Sequence, residues 1–137
     1  MNNDDRQALL LRTCLNEGFK DKPYQDHLGI WTIGHGLTYI TPAESREITR
    51  LRLLGLENNL LVRYRFLLEA PSPVVSVLVE MAYQMGLTGL NGFVKMLTAI
   101  ELGDYETAAF EGLDSKWAKQ TPNRANRLMA IVRGEAK

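Results

Sequence analysis

The segment that begins at Thr41 is a long helix-forming stretch, and it limits the folds open to a chain of 137 residues. Its start is well defined, because Thr41 suits the N-cap, Pro42 fits the first helical position and Glu44 completes a capping box. Gly55 is a weak point inside it, since glycine costs about 1 kcal/mol relative to alanine in a helix. A helix over about 42–69 would span roughly 40 Å at 1.5 Å per residue. Because that length exceeds the radius of so small a domain, we expect the helix to bridge two lobes.

An N-terminal helix is predicted over residues 5–16, where apolar residues recur at helical spacing. Asn3 or Asp4 is expected to cap its free amide groups. Gly18 ends the helix, so Glu17 falls in its terminal turn. The sequence therefore predicts a carboxylate at the point where the first helix stops.

Residues 23–33 change to the composition that is typical of β-strands. Tyr24 precedes the turn-forming sequence DHLG (26–29), and a run of β-branched and aromatic residues follows that turn. This arrangement predicts a small hairpin directly after the first helix.

The C-terminal half is predicted to be helical. The sequence APSP (70–73) breaks the chain after the long helix, and Ser72 with Pro73 is expected to start the next one. Glycines and a Thr-Pro pair separate the helical segments that follow. Helices are predicted over about 72–85, 92–102, 105–112 and 122–132.

Together these elements predict an α+β fold that is mostly α and forms one domain, 1–137. A hairpin lobe is expected over about 17–40, and the connecting helix over about 42–69. A helical lobe is expected over about 72–134, with the N-terminal helix 5–16 packed on it.

Composition places the chain among ordinary folded proteins, with 45% hydrophobic and 23% charged residues. No apolar run approaches the ~20 residues needed to cross a bilayer, so stable membrane insertion is not expected. The N-terminal sequence lacks the features of a signal peptide, which makes a cytoplasm the expected place of synthesis. The single cysteine excludes an internal disulfide.

The formal net charge is zero, but the charge is unevenly distributed along the chain. Residues 114–137 hold six basic and two acidic residues, a net charge of +4, which leaves −4 for residues 1–113. A basic face could attract an anionic polymer, either nucleic acid or cell-wall glycan. A solvated helix face is the other interpretation, and composition does not decide between them.

Three polar residues, Glu17, Asp26 and Thr32, lie at the join between the first helix and the hairpin. Glu17 follows an apolar stripe and precedes Gly-Phe, so apolar surroundings would keep its proton in place near neutral pH. Asp26 lies beside a turn, where water would keep it ionised. Two carboxyl groups in contrasting environments are what cleavage of a glycosidic bond requires, and a threonine hydroxyl can orient the attacking water. Ordinary surface charge is the alternative interpretation of the two carboxylates.

The stretch EGFKDKPYQDHLGIWTIG (17–34) resembles the motif E-G…Y-x-D-x-x-G-x-x-T-I-G of the bacteriophage-type lysozymes, glycoside hydrolase family 24. Two further segments, YQMGLTGLNGF (83–93) and SKWAKQTPNRANR (115–127), are similar to the T-even branch of that family. The resemblance covers residues from about 10 to 133. Three separate segments in the correct order make it specific, and it implies a lysozyme-like fold.

The resemblance implies a muramidase that hydrolyses the β-1,4 bond between N-acetylmuramic acid and N-acetylglucosamine in peptidoglycan. Glu17 would be the general acid that protonates the glycosidic oxygen. Asp26 would activate or position the attacking water, with Thr32 holding that water on the opposite face of the sugar. The T-even member of the family inverts the anomeric centre, so inversion is expected here.

The same resemblance suggests three supporting residues. Arg124, in the segment TPNR, matches the family arginine that lies near the acid. Tyr83 and Gln84 match the cleft-facing part of the family's QMG segment and are expected to touch the glycan. A core aromatic residue with a satisfied polar neighbour is the alternative for this pair.

Two features depart from the family pattern. The segment between Thr32 and Thr41 is far shorter than in the T-even enzyme, so the lobe over the cleft is expected to be reduced. The sequence TIGHGLT puts His35 between two glycines and Leu37 where a histidine usually follows. We interpret His35 as structural and paired with a carboxylate on the long helix, with an accessible loop histidine as the alternative.

No metal and no cofactor are expected. His27 and His35 are the two histidines of the chain, and no third ligand has suitable spacing for a metal site.

The favoured biological role is that of a phage endolysin for host lysis. Such a protein would wait in the host bacterial cytoplasm until a separate holin releases it to the periplasm and cell wall. Peptidoglycan is the expected partner, and a monomer is the expected state. A virion-associated lysozyme for DNA entry is the alternative within the same chemistry.

Two other classes compete with an enzyme. A non-catalytic peptidoglycan-binding module has no need for the acid and the water site together, so Glu17, Asp26 and Thr32 argue against it. A helical DNA-binding regulator is suggested by the basic tail, but it leaves the hairpin and the carboxylates unexplained. Nucleic acid is therefore not expected as a partner.

Overall fold

The computed structural model describes residues 1–136, which belong to two compact units, Met1–Glu47 and Ile48–Lys137. The described part is an α+β fold that is mostly α, as the sequence predicts. In chain order its elements are α1 (Asn3–Glu17), β1 (Lys20–Gln25), β2 (Trp31–Gly34), α2 (Pro42–Arg63), a 3₁₀ turn (Arg65–Leu68), α3 (Ser72–Asn91), α4 (Val94–Glu101), α5 (Tyr105–Leu113), α6 (Lys116–Gln120) and α7 (Pro122–Val132).

Helix α1 begins two residues earlier than the sequence predicts. Its N-cap is Asn2, whose side-chain oxygen accepts a hydrogen bond from the Asp5 amide at 2.8 Å, so the assignment of Asn3 or Asp4 as the cap is wrong. The helix ends as predicted at Gly18, which adopts a φ of +70° that favours glycine. Glu17 is accordingly the last helical residue.

Strands β1 and β2 form the predicted hairpin and pair antiparallel. Tyr24 lies opposite Thr32, and Lys20 lies opposite Gly34, with an irregularity in the register between Lys20 and Tyr24. The hairpin begins earlier than the composition indicates, because β1 includes Lys20 to Lys22 as well as the predicted residues. Its turn contains Asp26.

Helix α2 begins with the predicted capping box. The Thr41 amide donates to Glu44 Oε2 at 2.7 Å, and the Glu44 amide donates to Thr41 Oγ1 at 3.2 Å. The Thr41 amide, and then the Thr41 hydroxyl, hold the pKa of Glu44 below its ordinary value. The start of the long helix is therefore confirmed.

The end of α2 differs from the prediction. The helix stops at Arg63, and Tyr64 leaves helical geometry with φ −117° and ψ 80°. The Tyr64 hydroxyl donates to the side-chain oxygen of Asn91, at the end of α3. The prediction that this helix continues to residue 69 is therefore wrong. The turn at Tyr64 accompanies a hydrogen bond to a distant residue, and local helix propensity does not reveal such a bond.

The core of the second unit lies among α3 and the helices that follow it. Helix α5 packs against both α4 and α7, and α7 also packs against α3 and α6. Its largest fully buried side chains are Leu60, Leu67, Val77, Leu78, Met81, Leu90, Met96 and Met129. Helices α4, α5 and α7 match the sequence prediction, whereas the short helix α6 was not predicted. The expected packing of α1 on this lobe, and the single domain it implies, stay predictions.

Helix α3 is longer than the predicted range of about 72–85, and it is strongly apolar. Over Ser72–Asn91 it meets the length and composition of a membrane span, and 39% of that window is buried. Gly86 interrupts its helical geometry with φ 79° and ψ 163°, at the point where the sequence predicted the helix to end. Since seven of its residues are buried and contribute to the core, we interpret α3 as the central helix of the lobe.

Candidate active site

Glu17 closes α1 and lies against the loop that follows β2. A Cβ atom added at Gly36 would lie only 2.6 Å from Glu17 Oε2, so the Gly36 backbone packs directly on this carboxyl group. The Glu17 side chain is nevertheless exposed. No residue of α1 within Asn3–Glu17 is buried. Because the packing of α1 on the helical lobe stays a prediction, the apolar surroundings expected for Glu17 stay a prediction as well.

Asp26 is fixed by the backbone of its own turn. Its Oδ1 accepts hydrogen bonds from the Leu28 amide at 2.8 Å and from the Ile30 amide at 2.9 Å. The Ile30 amide contributes most to lowering the pKa of Asp26 below its ordinary value; partial desolvation opposes this, while the Leu28 amide and the charge of His27 lower it further. This agrees with the expectation of an ionised aspartate beside a turn.

Thr32 is a buried residue of β2, with 6% of its surface exposed. Its hydroxyl donates to the Ile30 carbonyl at 3.0 Å. Since the single hydroxyl proton is used in this bond, the Thr32 oxygen is left with lone pairs that can accept a hydrogen bond from another donor. Ile30 thus connects the two side chains, with its amide bound to Asp26 and its carbonyl bound to Thr32.

His35 lies close to the end of α1. Its Nδ1 lies 2.7 Å from the Gly18 carbonyl oxygen, and its ring lies 5.3 Å from the ring of Phe19, centroid to centroid. The loop after β2 thus lies against the end of α1, and the pairing of His35 with a carboxylate of the long helix stays a prediction. Within residues 1–136, no group of three or more His, Cys, Asp or Glu residues is arranged to hold a metal ion.

The three supporting residues belong to the second unit. Tyr83 is 47% exposed and lines a cleft of about 900 Å³, together with Glu80 and Arg124. The Arg124 guanidinium lies 3.9 Å from Glu80, in a pair that is about half exposed. The proximity of Arg124 to Glu17 stays a prediction.

Gln84 is a satisfied polar residue. Its side-chain oxygen accepts a hydrogen bond from the indole of Trp117 at 2.9 Å, in half-buried surroundings. This matches the alternative that the sequence left open for Gln84, whereas the exposure of Tyr83 argues against a core aromatic at that position. Contact of either side chain with a glycan stays a prediction.

Sequence reasoning missed two contributors to the candidate site. Gly36 was noted only as part of a departure from the family pattern. Glycine is nevertheless a usual residue where the backbone approaches another group closely, and here that group is the Glu17 carboxyl. The backbone of Ile30 gave no signal, because a peptide group acts through its position and not through the identity of its side chain.

Comparison with known proteins finds a family model and several relatives that match the chain. The model of the family "Phage lysozyme" matches residues 15–134. A stretch of 53 residues, 39% of the chain, is 47% identical to the pre-baseplate central spike protein Gp5 of Enterobacteria phage T4 and covers 9% of that protein. Two proteins of Dictyostelium discoideum, probable T4-type lysozymes 1 and 2, are 36% and 39% identical over 55 and 54 residues, which are 40% and 39% of the chain.

These pairwise matches cover only part of each relative. The chain spans 32% of the length of either Dictyostelium protein and a smaller share of the spike protein. The family model, in contrast, extends over most of the chain and includes Glu17, Asp26 and Thr32 together with both C-terminal segments that carry the resemblance. On this match, the chain belongs to the phage lysozyme family.

Proposed function

We propose that this protein is a muramidase, which hydrolyses the β-1,4 bond between N-acetylmuramic acid and N-acetylglucosamine in bacterial peptidoglycan. The observation that carries the proposal is that Asp26 and Thr32 both bind the main chain of Ile30, Asp26 its amide and Thr32 its carbonyl, in the same unit as Glu17. The membership of this chain in the phage lysozyme family supports the same activity.

In this proposal Asp26 and Thr32 hold the attacking water. The ionised Asp26 accepts hydrogen bonds, and the Thr32 oxygen can only accept one, because its own proton is donated to the Ile30 carbonyl. A water between them would donate one hydrogen bond to each group, so its own lone pair would point away toward the substrate. This arrangement favours attack by water on an anomeric carbon.

Glu17 supplies the acid. It protonates the glycosidic oxygen as the bond from that oxygen to the anomeric carbon breaks, while the water forms a new bond to the same carbon and transfers a proton to Asp26. Both carboxyl groups return to their starting states after proton exchange with solvent. We propose inversion at the anomeric carbon, because water attacks the face opposite the leaving group.

The test is digestion of purified peptidoglycan, followed by turbidity and by analysis of the products. We expect clearing together with new reducing ends at N-acetylmuramic acid, released first as the α-anomer. Anhydro-muramic products would show a lytic transglycosylase instead. Binding to peptidoglycan without release of fragments would show a non-catalytic module.

We further propose that the protein is an endolysin that acts as a monomer from the host cytoplasm, after a separate holin opens the membrane. The burial of α3 in the core supports action without membrane insertion. A virion-associated role is a second candidate, since the spike protein of phage T4 is 47% identical over the matched segment. Mass spectrometry of purified virions and of the lysate separates the two, because an endolysin is expected in the lysate alone.

Thr32 provides a direct test of the water site. We expect Thr32→Ser to keep most of the activity, because the hydroxyl remains, and Thr32→Val to lower kcat about tenfold or more, because a misplaced reactant is costly. Loss of the bond to the Ile30 carbonyl would also cost about 1 kcal/mol of stability. The kcat values are measured below the melting temperature of each variant. Equal activity of the two variants would contradict the role given to the hydroxyl.

The pH dependence of Asp26 follows from its lowered pKa. Because the pKa in the folded protein lies below the ordinary value of 3.8, the ionised carboxylate stabilises the fold above that value. The contribution is lost as the pH falls through the lower folded value. We therefore expect Asp26 to remain a competent base at every pH above about 4. A carbon-detected NMR titration of its carboxyl group measures this, and a midpoint above 3.8 would contradict it.

A further inference from the structure

We propose that His35 is a positioning residue for the acid Glu17: by donating from Nδ1 to the Gly18 carbonyl, it holds the loop after β2 against the Glu17 side chain. The inference rests on the proposed role of Glu17 as the acid. His35 itself touches neither the substrate nor the reacting atoms in this proposal.

The contacts of His35 are with the two residues that follow Glu17. Its Nδ1 lies 2.7 Å from the Gly18 oxygen, and its ring packs at a tilt against Phe19. The hydrogen bond joins residues 17 positions apart, so it connects α1 to the loop after β2 and does not merely close a local turn.

The loop that carries His35 is closed on itself. Ile33 and Leu37 exchange two backbone hydrogen bonds of 2.9 Å each, in the antiparallel manner. Since Thr32 directly precedes Ile33, the closed loop starts next to the proposed water site. Because these two bonds join the ends of the loop, a bond that fixes His35 also restrains its neighbours.

Gly36 is the residue of this loop that lies next to the Glu17 side chain. A Cβ atom at Gly36 would lie 2.6 Å from Glu17 Oε2, 3.1 Å from its Cδ and 3.4 Å from its Cγ. The end of the Glu17 side chain therefore lies beside Gly36, in the space that a Cβ atom there would occupy. In this proposal the position of the loop limits where that side chain can go. A displacement of the loop by the loss of the His35 bond would free that side chain.

The bond needs a proton on Nδ1, because a carbonyl oxygen only accepts. Either the neutral Nδ1–H tautomer or the imidazolium ion provides that proton. Positioning by His35 thus depends on a donor at this place and does not require a charge.

The experiment compares two substitutions of equal size, His35→Asn and His35→Asp. The asparagine amide can replace the Nδ1 donor, whereas an aspartate directs a carboxylate at the Gly18 carbonyl. With purified peptidoglycan as substrate, we expect His35→Asp to lower kcat about 10- to 100-fold, since small displacements of a catalytic group are costly, while KM changes little. His35→Asn is expected to stay within about threefold of the wild type, because the donor is restored.

A glycine pair supplies a matched control. Gly36→Ala puts a methyl group on the Glu17 carboxyl group at a φ of +75° and is expected to lose activity like His35→Asp. Gly55→Ala, in helix α2, meets no atom within 4 Å and is expected to keep full activity. All rates are measured below the melting temperature of the least stable variant, so that loss of folded protein does not mimic loss of turnover.

The outcomes separate the two proposals. An inactive wild-type protein would overturn the proposed function and this inference with it. An active wild type with His35→Asp as active as His35→Asn would overturn the positioning role alone. Nitrogen NMR of the His35 ring gives a readout besides activity: a proton on Nδ1 supports the inference, and a neutral ring protonated only at Nε2 overturns it.

Discussion

Glu17→Gln is expected to abolish hydrolysis of peptidoglycan while the fold stays intact. The amide removes the acid proton at almost constant volume, and general acid catalysis contributes roughly 10²- to 10⁴-fold to such rates. Because Glu17 is exposed, the substitution leaves no buried group without a partner. The melting temperature should therefore remain close to that of the wild type. Reducing-end release and thermal unfolding of the same preparation measure both properties.

Glu101→Gln is the matched control for this substitution. Glu101 is the exposed last residue of α4, in the second unit, and the same chemical change there is expected to leave turnover unaltered. Near-normal activity of Glu17→Gln would remove Glu17 from the role of acid. Equal losses in both variants would show that the effect comes from charge in general.

Asp26→Asn is expected to lower kcat by roughly 10²- to 10⁴-fold, the range for loss of a general base. The asparagine oxygen can still accept from the Leu28 and Ile30 amides, so the turn should persist. What the amide cannot do is take a proton from the attacking water. The substitution thus separates the structural task of Asp26 from its chemical one, and kcat together with a melting curve measures the two.

Asp104 offers a control of the same kind. Its carboxylate accepts from the amide and the hydroxyl of Thr107 at the start of α5, and the hydroxyl bond is the first cause of its lowered pKa. Asp104→Asn is expected to affect stability slightly and turnover not at all. If Asp26→Asn retained wild-type kcat, Asp26 would be a turn residue like Asp104 and not a base.

Local signals in the sequence predicted the parts of the fold that depend on neighbouring residues. The capping box at Thr41 and Glu44 marked the start of α2, because both partners lie within four positions. The end of α2 could not be found in the same way, since Tyr64 binds Asn91, 27 residues away. Helix α6 was missed because it is only five residues long and shows no repeating apolar pattern.

The candidate site shows the same division. A motif led to Glu17, Asp26 and Thr32, because motif spacing is a property of the chain, and their catalytic roles stay predictions. The hydrogen bond between His35 and the Gly18 carbonyl could not be predicted, since it depends on how the loop after β2 meets α1. The apolar surroundings expected for Glu17 stay a prediction, because an apolar stripe in a helix does not show what covers it.

The Ile30 peptide has a consequence for how this site can vary. Leu28 and Ile30 serve Asp26 and Thr32 through main-chain atoms, while their own side chains are 71% and 47% exposed. The identity of residues 28 and 30 is thus nearly decoupled from the chemistry, with proline as the exception because it lacks an N–H group. A turn that is held through main-chain atoms can change its exposed side chains and still keep the Asp26 carboxylate and the Thr32 hydroxyl in the same places.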